Sequence, residues 1–381
     1  MGLRHARGYA GLERAGVASG RLVVVYDADP ERAARAAAAF AALTGRTLRA
    51  ASTLGEVLAD GEVDAVDVVL PTAAHHPVVL TALRARKHVL VEKPFGLTIR
   101  ACEKMRSEAE RAGLVLAVAE NYRRVPTNRA LRGAVEEGVI GKPRLVAVHV
   151  VQPAPADHHA WHGDPMVGGS LPLLELAVHE ADLLRVLFGE VEEVHCTTAG
   201  FDAHEKSEDA ACAVLRFSDG TLGQLAVLSA GRAGEHGGRV VAGSSGTLVS
   251  ARWEGWERGS VIADGATAVP SEEWVRAWLG RLAPERRQTL LPDRTWVPDL
   301  LEVDIQDPFR YGIATELHDF VAAVAASRRP EVGAEEGTAA VAICLAMLES
   351  AAARSTIAVG DVLSGRVHRW QAEVDRGLGL G

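Results

Sequence analysis

Lysine is the scarcest charged residue in this 381-residue chain: five (Lys87, Lys93, Lys104, Lys142, Lys206) stand against thirty-six arginines. A composition that favours Arg so strongly has kept Lys at these positions, and Lys differs in being a compact ammonium whose pKa responds to burial. Cysteine is also sparse: Cys102, Cys196, Cys212 and Cys344 lie far apart with no Cys-x-x-Cys spacing. That excludes a zinc or dithiol redox motif and fits reduced thiols in a cytoplasmic protein. A basic run is missing and the formal net charge is -9, which excludes the basic face that a nucleic-acid partner requires. No stretch approaches the ~20 uninterrupted apolar residues of a membrane span, and Arg4, His5 and Arg7 are not followed by an apolar signal core. A membrane partner is therefore not expected. What is present is an ordinary globular balance, 48% hydrophobic and 24% charged, in a chain long enough for two domains or three.

The first part alternates two periodicities. Helical patterns at 2–18, 30–44, 77–85 and 98–113 interleave with apolar strands at 22–26, 63–70, 89–91 and 114–119. Such βαβ alternation predicts a doubly wound parallel sheet over residues 1–122. After Glu120-Asn121-Tyr122-Arg123 the rhythm changes. A helix at 127–137 leads to a strand at 144–151, a polar loop and a helix at 172–187. Strand-like runs at 191–249 are separated by Ser218-Asp219-Gly220, Gly237-Gly238 and the segment 243–246, which read as hairpin turns of an antiparallel sheet. Helices at 311–327 and 335–353 are expected to close a second α/β domain over 123–381. The segment 271–307, with Pro284, Pro292, Pro298 and three tryptophans, reads as an insertion or an oligomer contact.

Chemistry concentrates at a few places. Glu92-Lys93-Pro94 follows the apolar strand Val89 to Val91, and ligands of parallel sheets bind outside the carboxyl ends of such strands. An ordinary solvated ion pair fits the tripeptide equally well. Asp27 ends the strand at 22–26 in Val-Val-Val-Tyr-Asp, where an acidic side chain of a dinucleotide fold accepts the ribose diol and repels a 2'-phosphate. NAD is thereby favoured over NADP, although a turn before an Asp29 helix cap would use the same residues. Glu175 and His179 are four apart on a predicted helix, with Asp182 three further on. A carboxylate there would fix the imidazole tautomer and make His179 a general base, or the two would form a surface pair. His158, His159 and His162 lie among prolines 153, 155 and 165. A loop of that kind does not preset ligand geometry, so no metal is expected and a polar substrate loop or plain surface is the better reading.

Taken together, Met1-Gly2-Leu3-Arg4-His5-Ala6, Leu70-Pro71-Thr72-Ala73-Ala74-His75, Lys87-His88-Val89-Leu90-Val91-Glu92-Lys93-Pro94, Gly168-Gly169 and His179-x-x-Asp182 resemble the Gfo/Idh/MocA family of sugar and polyol oxidoreductases, over nearly the whole chain. The resemblance implies a Rossmann domain followed by an α/β domain whose open, mostly antiparallel sheet makes a homodimer or homotetramer interface. It implies NAD-dependent oxidation of a secondary alcohol on a sugar, sugar derivative or cyclitol, or the reverse. Lys93 would hold the reacting oxygen, His179 would exchange its proton, and Glu175 would stand in place of the family's usual Asp. Gly2, Asp27, Pro71, His75, Glu92, Lys93 and Asn121 would face the cofactor. His162, Asp182, Lys93 and His179 would face the substrate. The Lys93-Pro94 peptide is expected to be cis. Glu at 175 adds a methylene, about 1.5 Å of reach, enough to alter a proton relay. The glycine-rich phosphate turn is absent before Gly2, so an upstream strand and turn of roughly a dozen residues are expected to precede Met1. Two other functions share the pattern: an NAD-assisted glycosidase of the same superfamily and a non-catalytic sugar or nucleotide sensor.

Overall fold

Local capping chemistry starts three helices of the first half. Asp29, Thr53 and Thr98 each place a side-chain oxygen on a first-turn N–H, of Glu31, Glu56 and Ala101 respectively, and Gly45 and Gly113 end two of these helices in the left-handed conformation. The computed structural model describes residues 1–16, 20–152, 159–201, 208–231, 236–250, 259–263, 269–270 and 308–381, with isolated positions between 273 and 285. Helix α1 (Gly2–Arg14) opens the chain, followed by β1 (Val24–Val25), α2 (Pro30–Thr44), β2 (Arg49–Ala50) and α3 (Leu54–Ala59). Then come β3 (Ala65–Val68), α4 (His75–Arg84), β4 (His88–Glu92), α5 (Ile99–Ala112) and β5 (Leu116–Ala119). Every pairing among these strands is parallel. They form two ladders, β1 with β2 and β3–β4–β5, and no ladder joins β1 to β3 among the described residues.

The second half builds one sheet. After α6 (Pro126–Glu136) come β6 (Pro143–Val151), the short α7 (His159–His162), a π-helical segment (Leu171–Ala177) and α8 (Val178–Phe188). Next are β7 (Val191–Ala199), β8 (Ala210–Phe217), β9 (Leu222–Leu228), β10 (His236–Gly243), β11 (Gly246–Ser250), β12 (Gly259–Ala263) and β13 (Val269–Pro270). With β14 (Ile357–Ala358) they make a nine-stranded sheet ordered β13-β12-β11-β10-β6-β9-β8-β7-β14, antiparallel except between β6 and β9. Turns after Phe217 and Gly243 close hairpins as expected. The Gly237-Gly238 pair does not turn the chain: both glycines lie inside β10, in register with Val150 and His149 of β6. The ladder to β6 already satisfies their backbone, and that outweighs glycine's local preference.

Helix α9 (Pro308–Ala325) packs Ile313, Leu317 and Phe320 against Leu12, Leu90 and Ala117, so it belongs to the layer of the parallel strands. Helix α10 (Ala334–Ala353) is long and apolar enough to cross a membrane, yet its Val341, Leu345 and Met347 are fully buried in the core that covers the large sheet. The expectation that these two helices end the chain is corrected. The chain continues through β14, α11 (Val359–Leu363) and α12 (Gln371–Gly377), and α12 docks on the start of α5. The Ile99 N–H donates to Gln371 Oε1 at 2.9 Å and the Thr98 hydroxyl to Asp375 Oδ1 at 2.7 Å. Those polar contacts between distant segments leave no periodic signal in the sequence. The segment 271–307, expected to be an insertion or oligomer contact, lies almost wholly outside the described residues.

Candidate active site

The buried run Val89, Leu90 and Val91 carries β4 to its carboxyl end, where Glu92 and Lys93 emerge. The Lys93-Pro94 peptide is cis, as the resemblance led us to expect. His75 braces this turn. Its Nδ1 lies 3.0 Å from the Pro94 carbonyl oxygen and its Nε2 lies 2.9 Å from that of Leu70. Both ring nitrogens of His75 are thus committed to backbone carbonyls, and the ring is fully buried, which lowers its pKa. His75, expected to face the cofactor, thus serves in this structure as a brace for the Lys93 turn. Pro71 precedes a single 3-10 turn, Thr72–Ala74, whose Ala73 N–H donates to the Val167 carbonyl at 2.9 Å.

Glu92 is buried and turned toward α1. Its Oε2 accepts the Lys93 N–H at 2.9 Å and its Oε1 lies 3.1 Å from His5 Nε2, while His5 Nδ1 lies 2.8 Å from Asp67 Oδ2. Burial pushes the Glu92 carboxyl up, but the hydrogen bond and charge of His5, with Lys93 and His179, hold it below the ordinary carboxylate range. Burial alone would make His5 harder to protonate; Asp67 and Glu92 reverse that and raise it well above an ordinary imidazole.

The pairing of the candidate groups differs from the expected one. Glu175 does not meet His179. Its Oε1 lies 2.6 Å from Lys93 Nζ, and Lys93 also donates to the Glu175 carbonyl at 3.0 Å. The cause is the backbone: both the Leu174 and Glu175 N–H groups donate to the Ser170 carbonyl, at 2.8 and 3.1 Å, opening the helix to i→i+5 spacing over Leu171–Ala177. In so wide a turn residues four apart no longer share a face. Gly168 permits the approach that starts this segment, since a Cβ there would sit 2.6 Å from the His162 carbonyl. His162 itself stacks on Trp161 and places its Nε2 3.9 Å from Glu175 Oε1, the oxygen that also meets Lys93.

His179, in the first turn of α8, is held by Glu120 at the carboxyl end of β5. Its Nδ1 lies 2.7 and 2.9 Å from the two Glu120 oxygens, and its ring stacks on Tyr122 at 3.8 Å with planes 6° apart. Burial raises the Glu120 carboxyl, whereas the His179 charge and hydrogen bond and the Tyr122 N–H bring it below the ordinary range. Glu120 was not singled out from the sequence, although it leaves β5 as Lys93 leaves β4, and the strand-end rule applied to both would have found it. Asp182, expected at the substrate, is instead buried on Arg123, whose Nε donates to Oδ2 at 2.7 Å and whose Nη2 donates to Oδ1. A carboxylate closed by a bidentate guanidinium positions α8 rather than a ligand.

Groups suited to NAD lie around these residues. Asp27 ends β1 part-exposed; its Oδ1 accepts the Asp29 N–H at 2.9 Å while Asp29 caps α2, so the turn and the cap coexist with a second Asp27 oxygen suited to a diol. Gly2 begins α1 with open space about it, and Glu92, Lys93 and Glu175 lie within electrostatic reach of that end of the helix. First-turn N–H groups there suit a pyrophosphate. Asn121 is buried next to Glu120, and its Nδ2 has no hydrogen-bond partner among the described residues, a donor suited to a bound amide or hydroxyl. Of the three histidines weighed as metal ligands, His158 and the His159 side chain lie outside the described residues.

A parallel layer thus carries a Lys–carboxylate and a His–carboxylate pair at adjacent strand ends, where open α/β sheets bind their ligands. The chain belongs to the Gfo/Idh/MocA oxidoreductase family: residues 1–120 match its NAD-binding Rossmann fold and residues 128–249 its C-terminal domain. The 1,5-anhydro-D-fructose reductase of Ensifer adhaerens is 32% identical over 180 residues, covering 46% of this chain and 54% of that protein. The myo-inositol 2-dehydrogenase of Thermotoga maritima is 33% identical over 175 residues, covering 45% of this chain and 51% of that protein. The chain thus spans about half the length of the curated relatives it matches. A levoglucosan dehydrogenase solved with NADH and levoglucosan superposes with a TM-score of 0.75 at 23% identity, over 94% of this chain and 96% of that one, which establishes the shared fold.

Proposed function

We propose that this chain is an NAD-dependent dehydrogenase that interconverts a secondary alcohol of a sugar, sugar derivative or cyclitol with its ketone. One observation carries the reading: an ammonium and an imidazole, each held by its own carboxylate, stand at the ends of the neighbouring parallel strands β4 and β5 or against them. NAD supplies the two-electron acceptor when bound. The Lys93 ammonium holds the substrate oxygen and stabilises the negative charge that grows on it. His179 receives the hydroxyl proton at Nε2, because Nδ1 faces Glu120. Glu175 keeps Lys93 aimed, and His162 borders the same carboxylate from the polar loop. The reductase and dehydrogenase names of the relatives, and the NADH and sugar in the levoglucosan dehydrogenase complex, support this substrate class.

The test is a screen of cyclitols, aldoses and sugar derivatives with NAD, followed by NADH absorbance. Turnover with a secondary alcohol, and much weaker turnover with NADP, is expected. Glycoside cleavage without net NADH, or ligand binding with no turnover across the screen, would replace the dehydrogenase with the glycosidase or the sensor.

The open face of the large sheet supports a homo-oligomer, dimer or tetramer. Val240, Ala147, Gln224 and Val214 form one row across β10, β6, β9 and β8, and Leu145 pairs with Leu222 in the next. Val214 is 55% exposed, and Leu145, Leu222 and Val240 are exposed beside it. Clustered apolar side chains on one sheet face mark an interaction surface. Val214→Glu is expected to lower the mass measured by light scattering to that of a smaller species; an unchanged mass would place the contact elsewhere. Four free cysteines, three of them buried, support a reducing cytoplasmic location.

A further inference from the structure

We infer that Glu120 is the positioning residue for His179, fixing its proton on Nδ1 so that Nε2 offers its lone pair to the substrate hydroxyl, while Glu175 serves Lys93 and not His179. The inference rests on the reading of His179 as the proton acceptor. An ionised carboxylate can only accept hydrogen bonds, and both Glu120 oxygens lie within 2.9 Å of Nδ1. In a neutral imidazole one nitrogen carries the proton, and a carboxylate at Nδ1 dictates which.

Two further contacts and burial keep Glu120 and the ring in place. The Tyr122 N–H donates to Glu120 Oε1 at 2.9 Å, so the carboxylate is oriented by its own strand end. Tyr122 also stacks on the imidazole, which fixes the ring plane. Glu120 and His179 are both buried, so water does not compete for Nδ1. Glu175 is otherwise engaged: the π-helical segment turns it to Lys93, at 2.6 Å. The two carboxylates therefore divide the work. One sets the tautomer of the base, and the other sets the direction of the cation.

The experiment compares the full chain with Glu120→Gln, Glu120→Asp and Glu175→Gln. Histidine labelled with a nitrogen isotope is read by NMR without substrate, and the His179 signals are assigned by their loss in His179→Asn. In the parent protein Nδ1 should carry the proton. In Glu120→Gln, whose amide can donate as well as accept, that preference should be lost and kcat should fall by up to about 10⁴-fold, the loss seen when a carboxylate that sets a catalytic tautomer becomes an amide. The KM should change by about twofold or less, because the contact with substrate is not made by Glu120. Glu120→Asp, which keeps the charge at the same strand end, should retain the tautomer and recover part of kcat. Glu175→Gln should leave the tautomer unchanged. An unaltered tautomer in Glu120→Gln, or a tautomer change in Glu175→Gln instead, overturns the inference. If the tautomer moves as expected but no alcohol is oxidised by the parent protein, the role of Glu120 stands and the dehydrogenase reading falls.

Discussion

Lys93→Met is expected to lower kcat/KM for the alcohol about 10²- to 10³-fold, the usual cost of removing one preorganised donor from a developing oxyanion. Methionine keeps an unbranched arm of similar reach and removes only the ammonium, so the loss reports charge rather than packing. Affinity for NAD, measured by quenching of protein fluorescence, should stay within about threefold, since the proposed cofactor contacts of Asp27 and α1 do not involve Nζ. Stability should change little. Glu175 loses its partner, but it is 21% exposed on its side chain and can be rehydrated. A variant that retains full turnover would remove Lys93 from the reaction. One that loses NAD binding as well would make it a cofactor ligand instead.

A second large effect is expected away from the chemistry. Arg239 in β10 donates through Nε and Nη2 to the two Glu180 oxygens, at 2.7 and 2.5 Å, and through Nη1 to Asn128 at 3.2 Å. Its side chain and that of Glu180 are 3% and 2% exposed. Glu180 follows His179 on α8, so the same pair fastens the helix carrying the base to the large sheet. Arg239→Ala leaves a buried carboxylate without its partner and is expected to cost about 3–5 kcal/mol in chemical denaturation. Replacing both residues with methionine should recover most of that loss, because the penalty lies in the stranded charge. By contrast, breaking Arg216–Glu193, whose side chains are 61% and 47% exposed, should cost under about 1 kcal/mol. Equal costs for the two pairs would show that burial does not govern them.

Most of the parallel layer was legible because its signals are local, whereas the two-residue β2 and the six-residue α3 are too short to carry a period and were not expected. Asp29 and Pro30 at the start of α2, threonine ahead of α5 and glycine after it mark helix ends within a few residues, and the short β-branched runs between them read as strands. Lys93 and His179 were legible through their motifs. Their partners were not. The i→i+5 hydrogen bonding around Ser170 follows from packing against the segment containing His162, which no period in Leu171–Ala177 announces, and it took Glu175 from His179 to Lys93. Asp182 and His75 looked like ligand-facing residues because each stands in a motif, yet each is satisfied by a group distant in sequence: Arg123 for one, the Pro94 carbonyl for the other. Gly237-Gly238 carried a turn signal that the β6 ladder overrode. Periodicity reads elements, whereas pairing between buried polar groups is a tertiary property.

The most direct measurement follows an isotope. A secondary alcohol that the protein oxidises is prepared with deuterium on its carbinol carbon and incubated with NAD. Mass spectrometry of the cofactor should then find NADH carrying one deuterium on the nicotinamide ring, with the label lost from the ketone. Ketone formation with unlabelled NADH, or glycoside cleavage with no labelled NADH, would contradict direct transfer at the Lys93–His179 site.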